Sequence, residues 1–145
     1  MEILQPIYLH ANEKVVLVST SYSPNKEDVA KAADTLRSWE LEPIIDSNAV
    51  KTYSKNAGTI QEHVSDLQWA FSNPDIKAVI CNRGGYGAIQ LLEHLRPSEW
   101  DIEPKWLAGF SDSTTLHDFN SSWHHEITRS NRNHRRAPER RYPPI

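Results

Sequence analysis

The chain switches repeatedly between two spacings of hydrophobic residues. Apolar residues run on without alternating in the segments 13–20 and 76–81, and shorter apolar segments lie at 43–45 and 106–110. Such short runs are typical of strands buried on both faces of a sheet. The segments between them carry apolar residues at helical spacing. These stripes are Val29, Ala32, Ala33 and Leu36, then Ile60, Val64, Leu67 and Phe71, then Ile89, Leu91, Leu92 and Leu95.

Strands that alternate with helices predict an α/β fold, a doubly wound and mostly parallel sheet with flanking helices. The carboxyl ends of parallel strands share one edge of the sheet, and ligands bind beyond that edge. Two polar turns, at residues 82–87 and 111–113, directly follow predicted strands. We therefore expect a functional site to include these two turns.

The turn after the fourth predicted strand has the sequence Gly109-Phe110-Ser111-Asp112. A serine on a sharp turn between a strand and a helix is pushed above the sheet, and the amide of the next residue points to where an oxyanion would form. The pattern Gly-x-Ser-x-Gly is incomplete, because Ser113 stands at its last position. Two interpretations are open: a nucleophilic serine, or a serine that only caps the following helix.

Three glycines in four residues follow the third predicted strand, in the sequence Arg83-Gly84-Gly85-Tyr86-Gly87. Glycine lets backbone amides approach a ligand closely, which suits an anion or an oxyanion. The spacing differs from the Gly-x-Gly-x-x-Gly pattern of dinucleotide sites. A tight turn without a ligand explains the same residues equally well.

Composition limits the class of protein. The length of 145 residues fits one domain, and no apolar run approaches the roughly 18 residues that span a bilayer. The first ten residues lack the features of a signal peptide, so a cytoplasmic protein without membrane contact is expected. A single cysteine, Cys81, excludes an internal disulfide and a cysteine-rich zinc site. The histidines expected in solvent, rather than around a metal, are His63, His94, His117, His124 and His125.

Charge divides the chain into two parts. Residues 1–123 carry 10 basic and 17 acidic residues, whereas residues 124–145 carry 6 arginines, no lysine and 2 acidic residues. The second part holds few apolar residues, so we predict a folded domain at 1–123 and a disordered basic tail at 124–145. The arginines leave nucleic-acid binding open as an alternative, although the acidic body disfavours it.

The glycine turn and the serine turn together resemble the serine LD-carboxypeptidases, the group that includes muramoyltetrapeptide carboxypeptidase and the microcin C immunity protein. The resemblance covers roughly residues 12–117. It implies a flavodoxin-like N-terminal domain and a hydrolase that cleaves the amide bond before the terminal D-amino acid of a murein tetrapeptide. It also implies a cytoplasmic, homodimeric enzyme of peptidoglycan recycling that needs no cofactor and no metal.

By the same resemblance, Ser111 matches the family's nucleophile, and the backbone amides of Gly85 and Asp112 match its oxyanion hole. The family's triad is Ser-Glu-His, and its Glu and His belong to a second, C-terminal domain with no counterpart in this sequence. A truncated chain that is nearly inactive alone is therefore expected. The tail after about residue 120 resembles translation in a shifted frame. The alternative to an enzyme is a non-catalytic remnant that binds a ligand.

Overall fold

The computed structural model describes residues 5–52, 54, 57–101 and 103–121. Its four strands are β1 Lys14–Val18, β2 Glu42–Ile45, β3 Ile76–Cys81 and β4 Trp106–Ala108. They form one parallel sheet in the order β2-β1-β3-β4. The chain therefore winds away from β1 in both directions, and the predicted doubly wound α/β fold is confirmed.

Two α-helices connect the strands, α1 at Lys26–Ser38 and α2 at Ile60–Ser72. Asn25 begins α1, and its side chain accepts a hydrogen bond from a first-turn amide. Thr59 begins α2 with a capping box: its hydroxyl accepts from the amide of Glu62, and the Glu62 carboxylate accepts from the amide of Thr59. Both helices thus begin at polar residues that satisfy amides without a helical partner.

The two helices cover opposite faces of the sheet. On one face, Val15 and Leu17 of β1 pack against the apolar stripe of α1. On the other face, Val16 and Val18 pack against the stripe of α2. These four side chains are at most 1% exposed. The prediction that this strand is buried on both faces is therefore confirmed.

The prediction of a third helix after the glycine turn is wrong. The first residues of that segment form a short 3₁₀ turn, Ala88–Leu91, and turns follow at 92–94. A second 3₁₀ turn, Pro97–Glu99, comes after it. Gly87 enters the first turn with a φ of +124°, far from the helical range. Pro97 disfavours helical backbone at the residue before it.

After β4, Ser111–Ser113 forms a 3₁₀ turn, and residues 114–121 are helical. The predicted domain boundary at residue 123 and the predicted tail at 124–145 lie outside the described residues. Within the part of the chain that the structure describes, no helix is long and apolar enough to cross a membrane.

Candidate active site

Three loops meet beyond the carboxyl ends of β1, β3 and β4. They are the loop 19–25, the glycine turn 82–87 and the serine turn 109–113. Because β2 and β3 lie on opposite sides of β1, the winding direction reverses there. A crevice for ligands opens at such a reversal in parallel sheets. The two polar turns that the sequence singled out therefore lie at this edge.

Ser111 has the strained backbone that is found where a sharp strand-to-helix turn presents a side chain. Its φ is +57°, in the left-handed region that residues with a side chain rarely adopt. The residue that begins the following 3₁₀ turn is Phe110, and no side chain caps that turn. The interpretation of Ser111 as a helix cap is therefore wrong. Its side chain is exposed at the edge of the sheet.

The glycine turn passes directly against this serine. A Cβ atom on Gly84 would lie 2.8 Å from the Cβ and 3.2 Å from the Oγ of Ser111. Gly85 has a φ of +151°, and a Cβ there would lie 2.6 Å from the Cγ of Tyr22. Side chains do not fit at either position, so the glycines permit a close approach of the backbone. A tight turn without any further role does not require that approach.

Two backbone amides at this junction are unused. Gly85 follows the residue that touches Ser111, and Asp112 follows Ser111 itself. Neither amide donates a hydrogen bond to another residue that the structure describes. Unused amides beside a serine hydroxyl can stabilise negative charge on an oxygen bound there. The local geometry is therefore compatible with an oxyanion hole.

The carboxylate of Asp112 connects the three loops. Its Oδ2 atom accepts a hydrogen bond from the hydroxyl of Ser21 at 2.6 Å and another from the amide of Ala88 at 2.9 Å. Sequence reasoning missed this junction, because it considered the Asp112 side chain only as a partner of a helix dipole. Ser21 lies 91 positions from Asp112, so no local pattern indicates their contact.

A cation lies next to the glycine turn. The guanidinium of Arg83 lies over the ring of Tyr22, with 5.9 Å between its carbon and the ring centroid. Its Nη1 atom donates a hydrogen bond to the carbonyl of Ser23 at 3.1 Å. Arg83 is otherwise exposed. The site therefore has a positive charge that is held in place on an aromatic ring.

The surface around the two turns is apolar as well as polar. Three large side chains in or beside the turns are more than half exposed, namely Tyr86, Ile89 and Phe110. Exposed apolar residues next to a polar site are typical of a surface that contacts a substrate or another protein surface.

A base for Ser111 is not found among the described residues. The serine hydroxyl makes no hydrogen bond within that part of the chain. His124 and His125 lie outside it, as does the neighbouring Glu126. The described residues also contain no group of three or more histidine, cysteine or acidic side chains that could hold a metal ion.

Two titratable groups are buried on α2, away from the turns in sequence. The prediction that His63 is a surface residue is wrong, since it is 4% exposed and its burial lowers its pKa. Its position on the apolar stripe of α2 was the available signal. Asp66 is 6% exposed, and its burial raises its pKa to about 7. Asn48 donates a hydrogen bond to Asp66, which opposes the rise, whereas the Asp46 carboxylate adds to it.

A parallel α/β sheet that presents a strained serine at its carboxyl edge is typical of serine-dependent α/β enzymes. A family model described as the LD-carboxypeptidase N-terminal domain matches residues 15–125, so this chain belongs to the LD-carboxypeptidase family. A Synechocystis protein assigned by name to the carboxypeptidases is 38% identical over 116 residues, which are 78% of this chain and 38% of that protein. The murein tetrapeptide carboxypeptidase of Pseudomonas aeruginosa is 40% identical over 96 residues, 61% of this chain and 30% of that enzyme.

A solved structure agrees with the same assignment. The crystal structure of an MccF-like protein from Bacillus anthracis matches this chain with a TM-score of 0.76 at 25% identity, covering 83% of this chain and 37% of that one. The family resemblance that the sequence motifs indicated is therefore confirmed. The chain spans less than two fifths of the length of each of these three relatives.

Proposed function

We propose that this chain supplies the nucleophile and the oxyanion donors of a serine LD-carboxypeptidase. The substrate is a murein tetrapeptide, and the bond cleaved is the amide before its terminal D-alanine. The observation that carries the proposal is the left-handed φ of Ser111, +57°, with the backbone of Gly84 packed against its side chain. Such strain persists only where the surrounding structure imposes it, and it is common at active sites. The name of the Pseudomonas aeruginosa relative supports the choice of substrate.

In the proposed reaction, the Oγ atom of Ser111 bonds to the carbonyl carbon of the scissile amide while a base takes its proton. The carbonyl oxygen becomes an oxyanion, which the N–H groups of Gly85 and Asp112 stabilise. The C–N bond then breaks, the base passes its proton to the leaving nitrogen, and D-alanine departs. Water attacks the resulting ester by the same route and restores the serine hydroxyl.

The source of the base determines how active this chain is by itself. The described residues supply no base to the Ser111 hydroxyl. Loss of the histidine from a serine triad lowers turnover by roughly 10⁶-fold. We therefore propose that the 145-residue chain alone is nearly inactive. From the family we also expect a cytoplasmic location, a homodimer and a reaction without metal or cofactor, and light scattering tests the homodimer.

Binding and turnover are measured separately to test the proposal. A murein tetrapeptide is titrated into the isotope-labelled chain, and the tripeptide that lacks the terminal D-alanine is the matched control ligand. We expect the tetrapeptide to shift the amide resonances of Gly85 and Asp112 more than the tripeptide does. Released D-alanine is then measured by mass spectrometry for the wild-type chain and for Ser111→Ala. Very slow release that S111A abolishes is the expected result.

Two results would contradict parts of this proposal. Robust release of D-alanine that S111A abolishes would show that the chain holds its own base. Release that is equally fast in S111A would show that Ser111 is not the nucleophile. The two results differ in whether S111A still releases D-alanine, so one experiment distinguishes them.

The second candidate is a protein that binds a peptide without cleaving it. The lack of a base among the described residues favours this candidate, since unused amides can bind a peptide carboxylate without any proton transfer. Tetrapeptide binding that S111A leaves unchanged, with no release of D-alanine over days, would support it.

Nucleic-acid binding by the arginines of residues 124–145 stays a prediction from the sequence. It requires DNA binding that weakens steeply with salt and that is lost when those residues are deleted.

A further inference from the structure

Asp112 has two separate groups beside Ser111, and the proposed reaction uses only one of them. Its backbone amide is a proposed oxyanion donor. Its carboxylate has no part in the acyl transfer. One oxygen of that carboxylate nevertheless accepts two hydrogen bonds, from the hydroxyl of Ser21 at 2.6 Å and from the amide of Ala88 at 2.9 Å.

These two donors belong to different loops. Ser21 lies in the loop after β1, and Ala88 begins the 3₁₀ turn that directly follows the glycine turn. Asp112 itself lies in the turn after β4. A single oxygen atom therefore joins the loops of three neighbouring strands at the carboxyl edge of the sheet.

Both hydrogen bonds to the Asp112 carboxylate belong to a strong class. Hydrogen bonds to an ionised carboxylate are shorter and stronger than those between neutral groups. Both donors are inaccessible to water, because Ser21 is 1% exposed and Ala88 is fully buried. Without the carboxylate, a buried hydroxyl and a buried amide would each lack a partner, which is unfavourable.

Hydrogen bonds hold the glycine turn at both of its ends. At its start, the amide of Asn82 donates to the carbonyl of Val18 at 2.8 Å. At its end, the amide of Ala88 donates to Asp112. Gly85 lies between the two anchors, and its amide makes no hydrogen bond to any residue in the described part of the chain. The position of that amide relative to Ser111 therefore depends on both ends.

We propose that the Asp112 carboxylate, bonded to Ser21 and Ala88, is a clasp that sets the distance between the two oxyanion amides. It is a positioning residue, since it acts through the glycine turn rather than on the substrate. This inference rests on the proposed function of Ser111, Gly85 and Asp112.

The test uses a probe that imitates the tetrahedral intermediate and needs no turnover. Acetyl-γ-D-glutamyl-L-borolysine is a dipeptide boronic acid whose boron takes the place of the lysyl carbonyl carbon, which is the carbon of the scissile amide. The Oγ atom of Ser111 bonds to its boron, the serine proton passes to solvent, and the boron becomes a tetrahedral anion with its two hydroxyl groups retained. The dissociation constant is measured by boron NMR. Hydrogen exchange of the Ala88 amide is measured on the same samples without the probe.

Four variants separate the clasp from general stability. Asp112→Ala removes the acceptor and keeps the backbone amide, while Asp112→Asn keeps one neutral oxygen acceptor. Ser38→Ala is the matched control, because its hydroxyl bonds to the carbonyl of Thr35 within α1 and lies outside the three loops. Ser111→Ala removes the atom that bonds to boron.

We expect D112A to weaken boronate binding by at least about tenfold, because small displacements of oxyanion donors have effects of this size or larger. D112N is expected to recover part of that loss, and S38A is expected to bind like wild type. Exchange at Ala88 is expected to become faster in D112A and to remain unchanged in S38A. If D112A does not fold, the same comparison is made with D112N and Ser21→Ala.

Each contrary result has a distinct meaning. A folded D112A that keeps wild-type boronate affinity would overturn the clasp and leave the proposed function intact. Unchanged exchange at Ala88 in D112A would overturn it as well. A wild-type chain that binds the boronate no better than S111A would overturn the proposed function, and the clasp with it.

Discussion

Ser111 is the residue where this chain keeps a conformation that local preference opposes. A residue with a Cβ atom in the left-handed region is disfavoured by roughly 1–2 kcal/mol, whereas glycine is not. The φ of Ser111 is +57°, and the neighbouring Gly84 has no room for a Cβ atom of its own. The strained serine and the glycine turn are thus packed closely together, and Ser111 is left exposed.

This strain makes a prediction about stability that is independent of catalysis. Both Ser111→Gly and Ser111→Ala remove the hydroxyl, but only S111G removes the Cβ atom. We expect S111G to be more stable than S111A by about 1 kcal/mol in urea unfolding. The control position is Ser65, which is exposed within α2. There we expect Ser65→Gly to be less stable than Ser65→Ala, because glycine is a poorer helix former than alanine. Equal stabilities of S111G and S111A would contradict the strain.

At the scale of single elements, α2 is anchored at both ends. The capping box of Thr59 and Glu62 satisfies amides at its start. The ammonium of Lys105 donates hydrogen bonds to the carbonyls of Ala70 and Asn73 at its end. Burial lowers the pKa of Lys105 to about 8. The helix is thus fixed by a residue close in sequence at one end and by a distant one at the other.

Removal of the capping hydroxyl is expected to destabilise the protein. Thr59→Ala leaves the Glu62 amide without its acceptor, so we expect a loss of about 1 kcal/mol. This corresponds to a lower Tm by roughly 2–6 °C in circular dichroism. Thr35→Ala is the matched control, since Thr35 is exposed within α1 and caps nothing. A Tm of T59A no lower than that of T35A would contradict a role for the cap.

At the scale of the whole molecule, buried ionisable groups make stability depend on pH. Asp66 has its pKa raised from 3.8 to about 7, so the folded protein keeps a proton that the unfolded chain loses between these values. Its contribution is therefore present below about pH 4 and is lost as the pH rises to about 7. His63 acts in the opposite direction, because burial lowers its pKa and acid then favours the unfolded chain.

The variant Asp66→Asn isolates one of these two effects. The asparagine side chain resembles the protonated carboxyl group of Asp66 and does not titrate. We expect the wild-type protein to lose more unfolding free energy than D66N between pH 5 and pH 8, measured by urea unfolding at both values. The exposed Asp34 provides the control, because Asp34→Asn is expected to leave the pH dependence unchanged. An identical pH dependence of wild type and D66N would contradict the raised pKa.

The sequence by itself determined the four strands, α1, α2 and the order of the elements. Burial along one strand or one helix repeats with a fixed period, so a local pattern contains it. The same pattern failed after Gly87, where a segment with apolar residues at helical spacing begins with a short 3₁₀ turn and forms no α-helix. It also missed the burial of His63, because a polar residue on an apolar stripe was assigned by its type alone.

The sequence also singled out Ser111 and the glycine turn, since residue type and motif are local, and the family resemblance followed from them. Only the tertiary structure decided the strain at Ser111, the contact with Gly84 and the junction of Ser21, Ala88 and Asp112. The contact and the junction join segments that are far apart along the chain. Their distances depend on how the strands pair and how the loops pack, and no local pattern contains that information.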